Sequence, residues 1–120
     1  MRYALFMTFD EYQKIAITTD TFEEAEKSIV SPSFMSKLLG LVGETGEIAE
    51  KFKKIYRDND GVMSDEQVLE IRKELGDVLW YINAMSCYLG FTLEDVAQDN
   101  LKKVLSRKQR GKTHGSGDNR

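Results

Sequence analysis

Apolar residues recur at three- and four-residue spacing over most of the chain, the period of a helix rather than of a strand. Thr8-Phe9-Asp10-Glu11 has capping-box form and opens a helix running to about Thr18. Residues 19–31 are polar and lack a clear period, and Phe22–Ile29 fits either a short helix or a loop. Ser31-Pro32 then supplies an N-cap and a first-turn proline for a long helix to about Tyr56, with Phe34, Leu38, Leu41, Ile48, Phe52 and Tyr56 on its apolar stripe. Arg57–Gly61 (RDNDG) breaks that pattern. A second capping box, Ser64-Asp65-Glu66-Gln67, starts a helix striped by Val68, Ile71, Leu75, Val78, Ile82, Met85 and Leu89 and closed by Gly90. Thr92 caps a fourth, from Leu93 to about Gln109, with Val96, Leu101, Val104 and Leu105 apolar.

Four amphipathic helices with short connections predict an all-α, four-helix bundle-like domain over residues 1–110. The glycine-rich, non-periodic GKTHGSGDNR of residues 111–120 reads as a polar C-terminal tail, unordered unless a ligand gathers it. The two long helices span roughly 35–40 Å at about 1.5 Å per residue. That is long for one small bundle, so their ends are expected to be completed by oligomerisation.

Composition narrows the chemistry by exclusion. The single cysteine, Cys87, forbids an intrachain disulfide and reads as a buried small hydrophobe. The single histidine, His114, rules out a histidine-rich metal site and reads as a tail residue. The apolar run Tyr3–Met7 is too short for a signal peptide, and nothing approaches a membrane span. A reduced, cytoplasmic protein is the expectation. Charge is less bland than its net value of −3. Residues 102–120 hold seven basic side chains and one acidic one, net +6, whereas residues 1–101 hold 10 basic and 19 acidic, net −9. A basic tail on an acidic body either contacts an anion or folds back on the body's carboxylates.

The informative residues break helix rules. Gly43-Glu44-Thr45-Gly46-Glu47 lies within the second helix and Glu74-Leu75-Gly76-Asp77 within the third. Mid-helix glycines cost about 1 kcal/mol each relative to alanine, which is expected where backbone must approach another backbone or a ligand. Glu44 and Glu47 lie about 60° apart on one helical face, and so do Glu74 and Asp77. If the helices pack antiparallel, the pairs converge at the core's edge, and four carboxylates repel unless a cation neutralises them. A single acidic pair at this spacing reads most simply as a solvated face; two matched pairs with internal glycines favour a metal site. All-oxygen ligands select Mg²⁺, Mn²⁺ or Ca²⁺ over zinc, and no Glu-x-x-His pair supports a di-iron site.

Glu44-x-x-Glu47 followed by Glu74-x-x-Asp77 resembles the metal-binding pattern of the MazG-like nucleoside triphosphate pyrophosphohydrolases, within the all-α NTP pyrophosphatase superfamily. Leu41–Lys54 (LVGETGEIAEKFKK) and Lys73–Tyr81 (KELGDVLWY) resemble the family's two core helices. Asn100-x-x-Lys103-x-x-x-Arg107 and the ending His114-Gly-Ser-Gly-Asp-Asn-Arg120 are similar to its C-terminal helix and to the tail of small members. The resemblance implies hydrolysis of a nucleoside triphosphate between the α and β phosphates, giving monophosphate and pyrophosphate, with Mg²⁺ required and Mn²⁺ a substitute. It makes Glu44, Glu47, Glu74 and Asp77 ligands, and Glu47 or Glu50 the residue that orients or deprotonates water. It further implies a homodimer or homotetramer.

A triphosphate also needs cations. Lys103, Arg107 and Arg110 form one stripe at i, i+4 and i+7, with Asn100 a turn earlier; a basic last turn also simply complements the helix dipole. Lys54, and more weakly Lys51, are further substrate-binding candidates. Tyr81, four residues after Asp77 on the same face, can touch base or ribose and Trp80 reads as a buried interface residue, though core or interface packing is the simpler reading of either aromatic. On this reading a metal-bound triphosphate sits between the acidic body and the basic stripe. Two rivals remain: a non-catalytic nucleotide-sensing bundle, and a nucleic-acid binder using the basic tail, which the acidic body opposes.

Overall fold

Each helix begins where a side chain supplies the acceptor that the first turn lacks. The computed structural model describes residues 6–23 and 28–119. In it α1 spans Phe9–Ala16 and continues as a 3₁₀ turn, Ile17–Thr19; α2 spans Pro32–Asn59, α3 Asp65–Leu89 and α4 Leu93–Gln109. Thr8 Oγ1 accepts from the Glu11 amide at 3.1 Å while the Glu11 carboxylate accepts from the Thr8 amide at 2.7 Å. Ser64 with Gln67 and Thr92 with Asp95 repeat the same reciprocal box. Ser31 Oγ accepts from the Phe34 amide, with Pro32 in the first helical position.

α3 ends at Gly90 in the left-handed conformation, φ 85°. α2 runs past Tyr56 to Asn59, because RDNDG interrupts only at Asp60, φ 52°, and Gly61, φ 78°. No strand occurs among the described residues, as the helical period predicts. Residues 24–27, inside the segment that fits either helix or loop, lie outside the described residues; the flanking Phe22 and Glu23, and residues 28–31, are not helical.

α2 and α3 form an antiparallel hairpin. Phe34 meets Tyr88 with ring centroids 6.5 Å apart, Gly40 faces Tyr81, and Lys51 reaches Glu70. The buried apolar core is small: Phe34, Ile55, Ile71, Ala84, Tyr88 and Leu93. α1 packs against α3 and α4, pinned by Gln13, which donates to Phe91 O and Cys87 Sγ and accepts from the Leu93 amide at 2.9 Å. Among the described residues, the backbone of α2 approaches that of no helix but α3. Leu39 and Val42 of α2 are consequently each 63 % exposed, and Leu75 of α3 is exposed too. The radius of gyration, 17.2 Å, exceeds the about 13–14 Å of a compact domain this long.

Two features take a more particular form in the structure. Gly43, Gly46 and Gly76 meet no atom of their own chain within 4 Å where a Cβ would stand, so no other part of the chain packs closely against them. The glycine that is closely packed is Gly40, where the ring of Tyr81 fills the missing side chain's space. The tail, read as unordered without ligand, turns back over α4 through residues 111–119, using positive-φ Gly111, Gly115 and Gly117. It returns to the basic stripe of α4, through Asp118, rather than to the body's carboxylates.

Candidate metal centre

The antiparallel register brings Glu44 of α2 opposite Glu74 and Asp77 of α3. One carboxylate oxygen from each lies within 4.8 Å of the other two, with Glu44 and Glu74 half-buried and Asp77 exposed. Burial is the largest influence on Glu44 and raises its pKa, and the negative charges of Asp77, Glu74 and Glu47, with a hydrogen bond shared with Glu74, push it further up. Three hard oxygen donors at this spacing suit a divalent cation that prefers oxygen ligands.

Glu47 is exposed and stands outside the three, though close enough for its charge to act on Glu44. Glu50, a further turn along, is turned away: its carboxylate pairs with Lys53 at 2.9 Å, and that bond holds its pKa down. Lys51 Nζ lies 3.6 Å from Glu74 and 3.7 Å from Glu70, placing a counter-charge at one edge of the cluster. Lys54 is exposed, and its charge acts on Glu50 and Asp58.

A cleft of about 320 Å³ opens beside the carboxylates, lined by Thr19, Glu44, Asp77, Trp80 and Tyr81. Tyr81 therefore does border the site, with its ring edge-on to Trp80 at 5.0 Å. Trp80 is clamped: its indole Nε1 donates to Thr19 Oγ1 at 2.8 Å and to Ala16 O at 3.1 Å. Tyr12 of α1 also faces this end, its hydroxyl pKa raised first by burial and then by the charge of Asp77. Tyr12, Thr19 and the clamp on Trp80 carry no local signature. They join the site because α1 packs across α3, a contact between residues more than 60 positions apart in sequence.

The basic stripe lies elsewhere. Asn100 and Lys103 line a separate cleft of about 650 Å³ along α4 with Phe91, Asp95, Val96 and Asp99. Arg107 is buried; its guanidinium donates to Gly117 O at 3.2 Å, to Asp118 O at 3.0 Å and to the Asp118 carboxylate at 3.3 Å. Lys103 reaches the same carboxylate at 3.3 Å, and the two cations hold the Asp118 pKa down. Arg110 Nε donates to Ser106 Oγ. Among the described residues α4 packs against α1 and α3 and makes no backbone approach to α2, which carries Glu44.

Residues 33–111 match the model of the MazG nucleotide pyrophosphohydrolase domain. The chain belongs to that family. The matched span contains α2, α3 and α4, hence every carboxylate of the cluster, and leaves out Tyr12, Thr19 and the folded-back tail. A relative of nearly the same length is the Gene 37 protein of Mycobacterium phage L5, 47 % identical over 116 residues, covering 95 % of this chain and all of the phage protein. No solved structure matches. Among the described residues no helix is long and apolar enough to cross a membrane. The MazG hairpin thus arrives with its carboxylates gathered and its outer apolar face bare.

Proposed function

We propose that this MazG chain is a Mg²⁺-dependent nucleoside triphosphate pyrophosphohydrolase, releasing pyrophosphate and leaving the nucleoside monophosphate. The observation that carries this is the Glu44–Glu74–Asp77 cluster opening onto an aromatic-walled cleft. A bound Mg²⁺, or Mn²⁺ in its place, would supply charge neutralisation at phosphate oxygens and acidify a coordinated water. Glu44, Glu74 and Asp77 would hold the cation. Glu47, one turn from Glu44, completes the ligands or takes the proton of the attacking water. Glu50 does the latter only if it leaves Lys53. Tyr81 meets the nucleoside, and Asn100, Lys103, Arg107 and Arg110 serve the phosphates, with Lys54 at the cluster's far end.

On this reading the α4 stripe serves a site supplied by a second copy, which fits the lack of any backbone approach between α4 and the α2 helix that carries Glu44. The exposed stripe of Leu39 and Val42 is where that copy packs, in a homodimer or homotetramer of a cytoplasmic enzyme. Leu39→Glu is expected to shift sedimentation from the assembly to the single chain, while far-UV circular dichroism keeps its helical signature. Nucleic acid is not a partner on this reading. The assay is pyrophosphate release from a panel of NTPs and dNTPs with Mg²⁺ or Mn²⁺; no release from any of them would remove the proposal.

The cluster also predicts how stability follows pH. Folded Glu44 holds its proton more tightly than the unfolded chain does. Ionising it therefore costs the fold, and metal-free stability should fall as pH rises through and beyond the usual carboxylate range. A cation that binds only the folded state offsets this by about 2.7 kcal/mol at a hundredfold excess over its Kd. Melting scans at acidic and neutral pH, with and without millimolar Mg²⁺, check both signs. A melting temperature indifferent to Mg²⁺ at neutral pH would count against the convergent carboxylates as a metal site.

A further inference from the structure

Behind the aromatic wall of the cleft lies a buried charge pair outside the carboxylate cluster. The side chain of Lys37, on α2, is 4 % exposed and that of Asp20, just past the 3₁₀ turn, is 7 % exposed, with Nζ and Oδ1 2.9 Å apart. Asp20 is satisfied on all sides, since Tyr88 Oη donates to its other oxygen and the Phe22 amide to Oδ1. Lys37 Nζ also donates to Ser36 Oγ and sits among three rings, 4.7 Å from the centroid of Phe22, 5.2 Å from Tyr88 and 5.7 Å from Trp80. All three distances fall within reach of a cation–π attraction.

Stability alone explains this arrangement poorly. A buried ion pair can often be replaced by apolar side chains of similar volume without loss, because taking two charges out of water offsets their attraction. What the pair does uniquely is geometric. Asp20 anchors the residue next to Thr19, and Thr19 Oγ1 accepts the indole N–H of Trp80. Lys37 meets the same indole through its π face. Trp80, Thr19 and Tyr81 in turn line the cleft together with Glu44 and Asp77.

We propose that Lys37 and Asp20 are positioning residues for the nucleoside end of the cleft: their ion pair, acting through Thr19 and Trp80, sets the wall against which base and sugar rest, while the carboxylates serve metal and phosphates. This rests on the pyrophosphohydrolase reading. It divides the cleft into two ends that should respond differently to mutation.

The test uses the full-length chain and the double variant Lys37→Met with Asp20→Asn, which removes both charges so that neither is left buried alone; Lys37→Met by itself is the companion. Trp80 is the chain's single tryptophan, so its emission reports this wall directly. In a folded double variant the Trp80 emission should shift and KM for a nucleoside triphosphate should rise by about tenfold with kcat nearly unchanged, the pattern of lost binding rather than lost chemistry. The affinities for Mg²⁺ alone and for inorganic tripolyphosphate, by calorimetry, should stay at the wild-type value. An unchanged KM, or losses of Mg²⁺ affinity and kcat in step with KM, would overturn the proposal and leave the pair a structural element. Wild-type protein without turnover would sink the pyrophosphohydrolase reading instead. The positioning role is then decided by titrating Trp80 emission with a nucleoside monophosphate, whose affinity must weaken in the double variant and fails the proposal if it does not.

Discussion

Asp77→Asn is expected to lower pyrophosphate release by about 10²–10³-fold, the range in which removing one electrostatic stabiliser of a transition state lowers kcat. The substitution keeps the side chain's volume and leaves α3 intact, so far-UV circular dichroism should not change. What it removes is one of three charges whose oxygens lie within 4.8 Å of one another. The same variant has a second, independent signature. Asp77 is the strongest of the charges that raise the Glu44 pKa, after burial itself. Without it Glu44 should titrate closer to an ordinary carboxyl, and the metal-free protein should lose less stability between acidic and neutral pH. Glu47→Gln and Glu50→Gln, assayed beside it, separate the two carboxylates proposed to manage the water proton. Glu50 spends its charge on Lys53, so the larger loss is expected at Glu47. Full activity in Asp77→Asn would remove this cluster as the metal centre.

Gly40→Ala is expected to destabilise the chain by about 1–3 kcal/mol, the cost of forcing extra volume into a packed contact. A Cβ there would fall within 3.0 Å of three atoms of the Tyr81 ring, a separation that real Cβ atoms do not tolerate. The ring has little freedom to retreat, because Trp80 meets it edge-on and is itself tied to Thr19 and Ala16. The displacement should therefore reach the cleft, and KM for the nucleotide should rise along with the fall in melting temperature. Gly43→Ala and Gly46→Ala are the controls. Neither meets an atom of its own chain within 4 Å, so in the single chain alanine should gain up to about 1 kcal/mol of helix propensity. A loss at either position would instead report a second copy packed on that face. A melting temperature for Gly40→Ala at or above wild type would show that the Tyr81 contact is not tight.

Much of the fold was legible because the signals that start and stop a helix are local. Thr8 and Glu11, Ser64 and Gln67, and Thr92 and Asp95 are three residues apart and meet whatever the rest of the chain does. Three of the four carboxylates read as ligands are brought together for a related reason. Their i, i+3 spacing places each pair on one face, and an antiparallel hairpin of two such helices brings the faces opposite. Glu47 is the fourth, and its exposure shows the limit of that rule: helical spacing sets the direction of a side chain, not how near the partner helix comes to it.

The remaining features depend on distances between elements. The sequence singles out Gly43, Gly46 and Gly76, beside the carboxylates, for close approach, whereas the interhelical register puts the Tyr81 ring at Gly40. Arg107 reads as a free phosphate ligand until the tail, turning on its glycines, places two carbonyls and the Asp118 carboxylate against it. Asp20 and Lys37 sit 17 positions apart with no motif between them, and become a buried pair only when Phe22, Trp80 and Tyr88 close around the ammonium. By itself, then, the sequence determined four helices, the residue that caps the start of each and the face that each acidic pair shares, all set by contacts within a turn or by helical period. The tertiary structure decided which glycine is filled, which cations are already engaged and what backs the aromatic wall. Those depend on the separation and register of helices, which arise from packing the whole chain at once and which no short stretch of residues encodes.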